Sequence, residues 1–506
     1  MLSPTNSMQK IKGVHILLAW LLTILFLSCS VSKNYSPDKK FSKEKLQADY
    51  ALLRNILEEK HPSLYWYTGK DSMDYFFNEG YKTITDSLTE LQFGWKIVAP
   101  LLNKIHCGHT SFSLSKNWNK FIRDKTIPSI PLYFKVWNDT LLITANLNRK
   151  DSVLKRGTLV TAINGIKNRE TIKTIFNYLP QDGYEDNVNY IRLSTNFPYF
   201  HRNVFGIYKT YSIQYIDSLG KEKKTFVPVF GISADTLKKI KNFPPIKQKH
   251  LSRKEKLENV RSLKTHDSTA VMIINTFAGG KHLKSFFKQS FVSIKKNNIK
   301  NLVIDIRTNG GGDISNYVSL TKYIRATRFK VADTAASVSK SFAPYTKYIK
   351  SGFINNLGLL LLTKKRSDGL YHFGYWERNS IKPKIKYHFN GDIYVLTNGL
   401  TFSASSLFCN AVKGQENVTL VGENTGGGWY GNSGIIIPDI ILPNTKIRIR
   451  LPFFKLVQYN HVAQKGTGVV ADFYVGPTIE SSVKGIDRKM EFVNKLILDK
   501  TKFKQP

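Results

Sequence analysis

Ser403 is the residue whose surroundings are best suited to chemistry. It lies in Gly391 to Gly428, which reads GDIYVLTNGLTFSASSLFCNAVKGQENVTLVGENTGGG. Ile393 to Leu396 is a short apolar run with β-branched members, the pattern of a buried strand, and Asn398-Gly399 is a turn signal. From Ser403 to Val412, Ala404, Leu407, Phe408 and Val412 recur near helical spacing. A small hydroxyl residue therefore stands where a strand turns into a helix. The first N–H groups of a helix lack intrahelical partners and carry partial positive charge, which suits an alkoxide or a tetrahedral oxyanion. On this segment alone the favoured reading is that Ser403 merely caps the helix. A second stretch bears on that choice. Asn301 to Arg307 (NLVIDIR) is another buried-strand run, followed by Thr308-Asn309-Gly310-Gly311-Gly312-Asp313. Three glycines after a core strand add no packing but let backbone N–H groups come close to a reacting atom. Neither G-x-G-x-x-G nor G-x-x-x-x-G-K-[ST] occurs here, so an oxyanion donor fits better than a phosphate cradle.

NLVIDIRTNGGGD, GDIYVLTNGLTFSASSLF and LVGENTGGG, in that order, resemble the C-terminal processing (tail-specific) and tricorn-core serine peptidases. The resemblance implies that Ser403, in a T-x-S-A-S motif, is the nucleophile. It also implies that the oxyanion hole is formed by the N–H of Ala404 and one from Gly310 or Gly311. Processing-type members take their base from a lysine in G-E-x-T-x-G-K-G, and here Gly428 stands in that lysine's place. The tricorn-like branch uses a histidine in an upstream G-H-T, matched by Gly108-His109-Thr110. A histidine near its ordinary pKa suits a serine at neutral pH, so His109 is the expected base. That branch orients its histidine with a glutamate shortly before G-V-x-P-D. The corresponding segment is Gly468-Val469-Val470-Ala471-Asp472, the glutamate's place falls on Lys465, and Glu423 is the candidate replacement. The implied fold is α/β, a crotonase/ClpP-like ββα spiral catalytic domain with an N-terminal helical domain and a PDZ-like β domain. No metal and no cofactor enter this chemistry.

The elements that must position these residues follow in chain order. At 506 residues the chain is long enough for two or three domains. Residues 1–29 read as a lipoprotein-type signal: Lys10 and Lys12, an apolar run from Ile16 to Leu27, then Leu27-Ser28-Cys29, with Cys29 the lipidated residue. Residues 30–44 form a polar tether. Residues 45–120 are a helical domain, with Leu46, Tyr50, Leu53, Ile56 and Leu57 on one face of a helix that stops before His61-Pro62. A second helix is expected over Thr89–Ile105, opened by Thr89 and Gln92 at capping-box spacing. His109 then lies past a helix C-terminus, where the dipole favours the imidazolium. Residues 125–232 turn to β structure, with strands at Leu132–Val136, Leu141–Thr144, Leu159–Ile163 and Ser212–Ile216. LKRGTLVTAINGIKNRETIKTIFNYL resembles the end of a PDZ-like domain, either an open peptide groove or a structural subdomain with the groove blocked. Residues 233–264 are a basic linker, and 265–506 the catalytic domain. That domain's expected elements include a strand at Ala270–Ile274, helices at Leu283–Lys296 and Asn316–Ile324, a site-covering insertion at 340–390 and a last helix at Asp487–Leu498.

Lys and Arg number 75 against 37 Asp and Glu, a net charge of +38. The cations are scattered and no nucleic-acid motif accompanies them, so nucleic acid is excluded as a partner and anionic surfaces or plain composition remain. The three cysteines, Cys29, Cys107 and Cys409, leave at most one disulfide, and Cys107 and Cys409 read as small buried hydrophobes. The expected function is a serine endopeptidase of the bacterial cell envelope, acting on polypeptides and attached to the membrane through its N-terminal lipid. The alternative is a non-catalytic peptide- or ligand-binding lipoprotein on the same scaffold.

Overall fold

The computed structural model describes residues 35–231, 251–459 and 464–503. The signal segment with Cys29, the start of the tether and most of the expected linker lie outside the described residues. Helix α1 (Lys43–Lys60) buries Leu46, Asp49, Tyr50, Leu53, Ile56 and Leu57 on one stripe, the spacing that puts successive residues on one helix face. Helix α2 (Lys70–Lys82) packs beside it. The expected helix over Thr89–Ile105 is present as one continuous helical run from Glu90 to Asn103 with a π turn inside it. The Thr89/Gln92 capping box opens Glu90–Phe93, a π turn follows at Gly94–Val98, and Ala99–Asn103 is α-helical again.

The β region is a six-stranded antiparallel sheet: β1 (Leu132–Trp137), β2 (Thr140–Asn146), β3 (Leu159–Ile163), β4 (Thr210–Ile216) and β5 (Glu222–Pro228) in sequence order, with the two-residue strand Ile166–Lys167 paired to β3. Alternation in β1 buries Leu132, Phe134 and Val136, as the period of two requires. Between β3 and β4 run α3 (Asn168–Phe176) and α4 (Asn187–Phe205). Helix α4 is kinked at Asn196, two residues before Pro198, because proline removes an N–H and disfavours helical geometry just before it. It lies along the free edge of β1. There the Val136 N–H donates to Ser194 Oγ at 2.8 Å, and the Ser194 hydroxyl lies 3.3 Å from Val136 C=O. The edge that could accept an added strand is thus capped by a side chain.

The catalytic layer is a six-stranded sheet ordered β6 (Arg261–His266), β7 (Thr269–Ile274), β8 (Asn301–Asp305), β10 (Asp392–Thr397), β11 (Val418–Gly422) and β13 (Phe473–Tyr474), counting β9 (Thr334–Ser337) and β12 (Phe454–Val457) in a neighbouring sheet. Only β6 runs antiparallel. The expected linker therefore ends earlier than residue 264, since Arg261–His266 pairs with β7 along its whole length. Helices α5 (Leu283–Lys296), α6 (Ile314–Ile324) and α7 (Ala404–Val412) cover one face. The last helix, α8 (Arg488–Phe503), covers the other through Val493 against Val303, Tyr394 and Leu396. Continuous apolar runs in β8 and β10 fit burial on both faces.

Three contacts fix the N-terminal helices against the catalytic region. Their core is continuous with Ile440, Ile447, Ile449 and Leu451 from the catalytic region. The buried Asp49 carboxylate accepts the N–H groups of Asn444 and Thr445 at 2.9 and 2.8 Å and the Thr445 hydroxyl at 2.7 Å. In addition Phe112–Ser113 adds as a strand beside Arg448–Arg450. The turn holding His109 is thereby carried to the catalytic region through this separate four-stranded sheet.

Candidate active site

Ser403 occupies the junction of β10 and α7 with φ 55° and ψ −123°, a conformation that costs a non-glycine residue roughly 1–3 kcal/mol and is kept only where the surroundings impose it. A nucleophile presented on a sharp strand-to-helix turn has this character. Asn309, fully buried, fastens the turn. Its C=O accepts the Phe402 N–H at 3.2 Å, its Nδ2 donates to Ile274 C=O at 3.1 Å, and its Oδ1 accepts the Gly311 N–H at 3.0 Å. Thr401 adds a second brace by donating its hydroxyl to Ile306 C=O at 3.2 Å. Ser403 makes no side-chain cap to its own helix, so its hydroxyl is free for other work.

Those bonds separate the oxyanion candidates. The Gly311 N–H is already given to Asn309, so Gly311 is corrected from donor to spacer. A Cβ there would stand 2.7 Å from Ser403 Cβ and 2.9 Å from Ala404 N, and its φ is 100°. Gly310 faces open space and lines the Ser403 cavity, and no bond to its N–H occurs among the described residues. The Ala404 N–H, at the first position of α7, has no intrahelical acceptor. Gly310 and Ala404 are the pair with free donors.

His109 lines the same cavity of about 570 Å³ as Ser403, with its ring 4.9 Å from that of Phe402. Gly108 allows this approach, since a Cβ there would meet the Phe402 ring at 2.5 Å. The buried Asp182 carboxylate braces the turn. It accepts the Gly108 N–H at 2.7 Å and the Gly428 N–H at 3.2 Å, so the carboxylate is bonded to the backbone on both sides. Burial raises its pKa to about 6 against those two bonds. Behind the turn, the Ser63 N–H donates to His61 Nδ1 at 3.3 Å, leaving Nε2 of this neutral ring to donate to the Thr110 hydroxyl at 2.7 Å.

The expected help from a helix dipole is not found. The preceding α-helix ends at Asn103 and His106 has φ 54°, so His109 is beyond the one turn over which the dipole acts. Burial instead lowers the His109 pKa to about 3, with Arg450 and Arg192 adding repulsion. The ring is therefore neutral at pH 7 and able to accept a proton. No hydrogen bond joins it to Ser403 among the described residues, and its Nδ1 is buried without a partner.

Glu423 is a second correction. Its carboxylate pairs with Lys489, whose Nζ also donates to Thr397 C=O at 2.9 Å, and it lines a different cavity with Arg307 and Asp487. A carboxylate neutralised by a lysine there cannot orient His109. Lys465 lies over the Tyr67 ring at 5.7 Å. Cys107 and Cys409 are buried and unpaired, with the Cys107 thiol pushed up to about 11 by burial. Sequence reasoning missed Asp182, Arg192, Asn432 and Arg450. Arg192, Asn432, Arg450 and Trp376 of the 340–390 insertion line the cavity. Among the described residues, no cluster of His, Cys, Asp and Glu could hold a metal ion.

Residues 268–475 match the family model of peptidase family S41. This segment belongs to the S41 peptidases. It carries Ser403, the glycine turn and Gly428, and its family consists of serine-type peptidases, which are hydrolases. His109 lies outside the matched segment. No curated protein matches the sequence. Among solved structures, mature CPAF matches with a TM-score of 0.58 at 13% identity, covering 90% of this chain and 96% of that one. Mature CPAF complexed with lactacystin gives 0.56 at 12%, covering 90% and 97%. At such identities these likenesses establish fold alone.

Proposed function

We propose that the chain is a serine endopeptidase of the bacterial cell envelope, with Ser403 as nucleophile and His109 as general base, in the manner of the tricorn-like branch. The observation that carries this is one cavity holding a strained, uncapped Ser403, two free N–H donors and a neutral histidine. The Ser403 hydroxyl oxygen attacks the peptide carbonyl while its proton passes to His109. The oxyanion is held by Ala404 and Gly310 N–H groups. The proton then goes to the leaving amine, and water releases the acyl group by the same route in reverse. The catalytic layer is read as a crotonase/ClpP-like ββα spiral. The β region is read as a PDZ-like domain with its groove closed by Ser194. Cys29 is the lipid attachment site and supplies the membrane contact.

The unpartnered His109 Nδ1 and the diverted Glu423 favour a second reading, a non-catalytic binder on the same scaffold, because a histidine base without an orienting carboxylate loses several orders of magnitude in rate. A serine-reactive fluorophosphonate separates the two. The peptidase reading predicts covalent labelling that Ser403→Ala abolishes. Intact protein that takes no label identifies the binder.

A further inference from the structure

The cavity around Ser403 contains two arginines that the hydrolytic chemistry does not use. Arg192 comes from the α4 helix, in the β region, and Arg450 from the strand Arg448–Arg450, so two separate segments deliver them to one place. Among the described residues, bonds from the Arg192 guanidinium to protein are made by Nη1 alone, to Pro180 C=O and to Asn189 Oδ1. Arg450 is anchored by its backbone, whose N–H donates to Ser111 C=O at 2.9 Å, and its side chain is exposed. Neither guanidinium has an ion-pair partner among the described residues. The carboxylates nearby are already engaged. Asp182 accepts two backbone N–H groups, and Asp313, on the cavity wall, caps α6 by accepting the Ser315 N–H at 2.8 Å. The Asp182 carboxylate acts on Arg192 through its charge, but no ion pair or hydrogen bond joins the two among the described residues, so the rest of this largely buried guanidinium's bonding capacity is open to a ligand.

The same sign continues outward. Asp313, Ile314 and Trp376 also line an adjoining cavity of about 580 Å³, whose wall includes Lys284, Lys322, Lys382 and Lys384. A polypeptide lying across Ser403 would run from two arginines past Trp376 into four lysines.

We propose that Arg192 and Arg450 bind a carboxylate of the polypeptide substrate in the Ser403 cavity, so that the chain selects acidic sites. A guanidinium is the side chain best matched to a carboxylate, through paired charge-assisted hydrogen bonds. This deepens the peptidase reading by naming its substrate class, but the binding itself does not need turnover. It also has a consequence for His109. A bound carboxylate neutralises the two cations that oppose protonation of the ring, so an acidic substrate makes its own base stronger. The carboxylate can come from a Glu or Asp side chain or from the free end of a chain.

Calorimetric titration of full-length Ser403→Ala protein distinguishes the sources. Capped decapeptides with Glu or Gln at each of the four central positions read the side chain. The same peptides with a free C-terminal carboxylate or an amide read the chain end. A tenfold or greater preference for the acid in either series is expected, as for a charge-assisted contact, shrinking as salt is raised. Adding Arg450→Gln, at an exposed position where misfolding is not at issue, should bring that ratio close to one, and Arg450→Lys should retain part of it. Equal affinities in both series, no binding of any peptide, or a preference that survives Arg450→Gln would overturn the inference. Failure of fluorophosphonate labelling in the wild-type protein would remove the peptidase reading and leave this binding test standing.

Discussion

Gly310 and Gly311 are neighbours with different tasks, and the difference is measurable. A Cβ at Gly311 would press on Ser403 Cβ and Ala404 N, whereas one at Gly310 meets nothing within 4 Å. Gly311→Ala should therefore abolish peptide turnover, while Gly310→Ala, which keeps its N–H, should retain most of it. Equal loss in both variants would mean that the turn is merely intolerant of side chains. At this scale the sequence was partly transparent. Ser403, Ala404, Gly310 and His109 all reach one cavity, because each sits in a short motif whose chemistry is local. The engagement of the Gly311 N–H was not legible, since it depends on the rotamer of Asn309 two residues earlier. The partner of Glu423 was equally hidden, because Lys489 is 66 residues away in sequence.

Among elements, the turn holding His109 is the one that must be placed accurately, and Asp182 is what ties it to the segment after β11. Asp182→Ala removes the acceptor of both the Gly108 and Gly428 N–H groups. Leaving buried N–H groups unpaired costs about 1–3 kcal/mol each, so a lower denaturation midpoint is expected together with a fall in kcat. Asp182→Asn, which keeps one acceptor oxygen, should lie between. Unchanged kcat in the alanine variant would show that the His109 turn holds itself. The strands and helices with strong periodicity were legible. Leucine and phenylalanine spacing marks α5, and the β-branched runs mark β3, β8 and β10. Helix α4 was not, because Asn, Thr and Pro198 interrupt its apolar pattern and packing against β1 and α3 sustains it. Missing that helix also hid Arg192.

Across the whole molecule, the fold was legible as an α/β catalytic layer preceded by helices and a β region, while the joints were not. The core shared between the N-terminal helices and Ile440–Leu451 arises from residues nearly 400 positions apart, and no local pattern records such a contact. Attachment to the membrane is a whole-molecule property resting on Cys29. If the lipid is the anchor, Cys29→Ala should move the protein from the membrane fraction to the soluble envelope fraction. A variant still bound after a salt wash would point to the net charge of +38 or to another segment. No helix among the described residues is long and apolar enough to cross a membrane.

The central claim is that Ser403 reacts with His109 as its base, and the rate of covalent labelling by a fluorophosphonate tests it most directly. The second-order rate constant would be measured for wild type and His109→Ala between about pH 4 and 8. General-base assistance is worth roughly 10²–10⁴-fold, so the variant should label more slowly by a factor on the order of a thousand. His109 must be neutral to accept the proton, and burial lowers its pKa to about 3. The wild-type rate should therefore stay level through the ordinary histidine range and fall only toward the acid limit. A His109→Ala protein that labels at a near-normal rate would contradict the account.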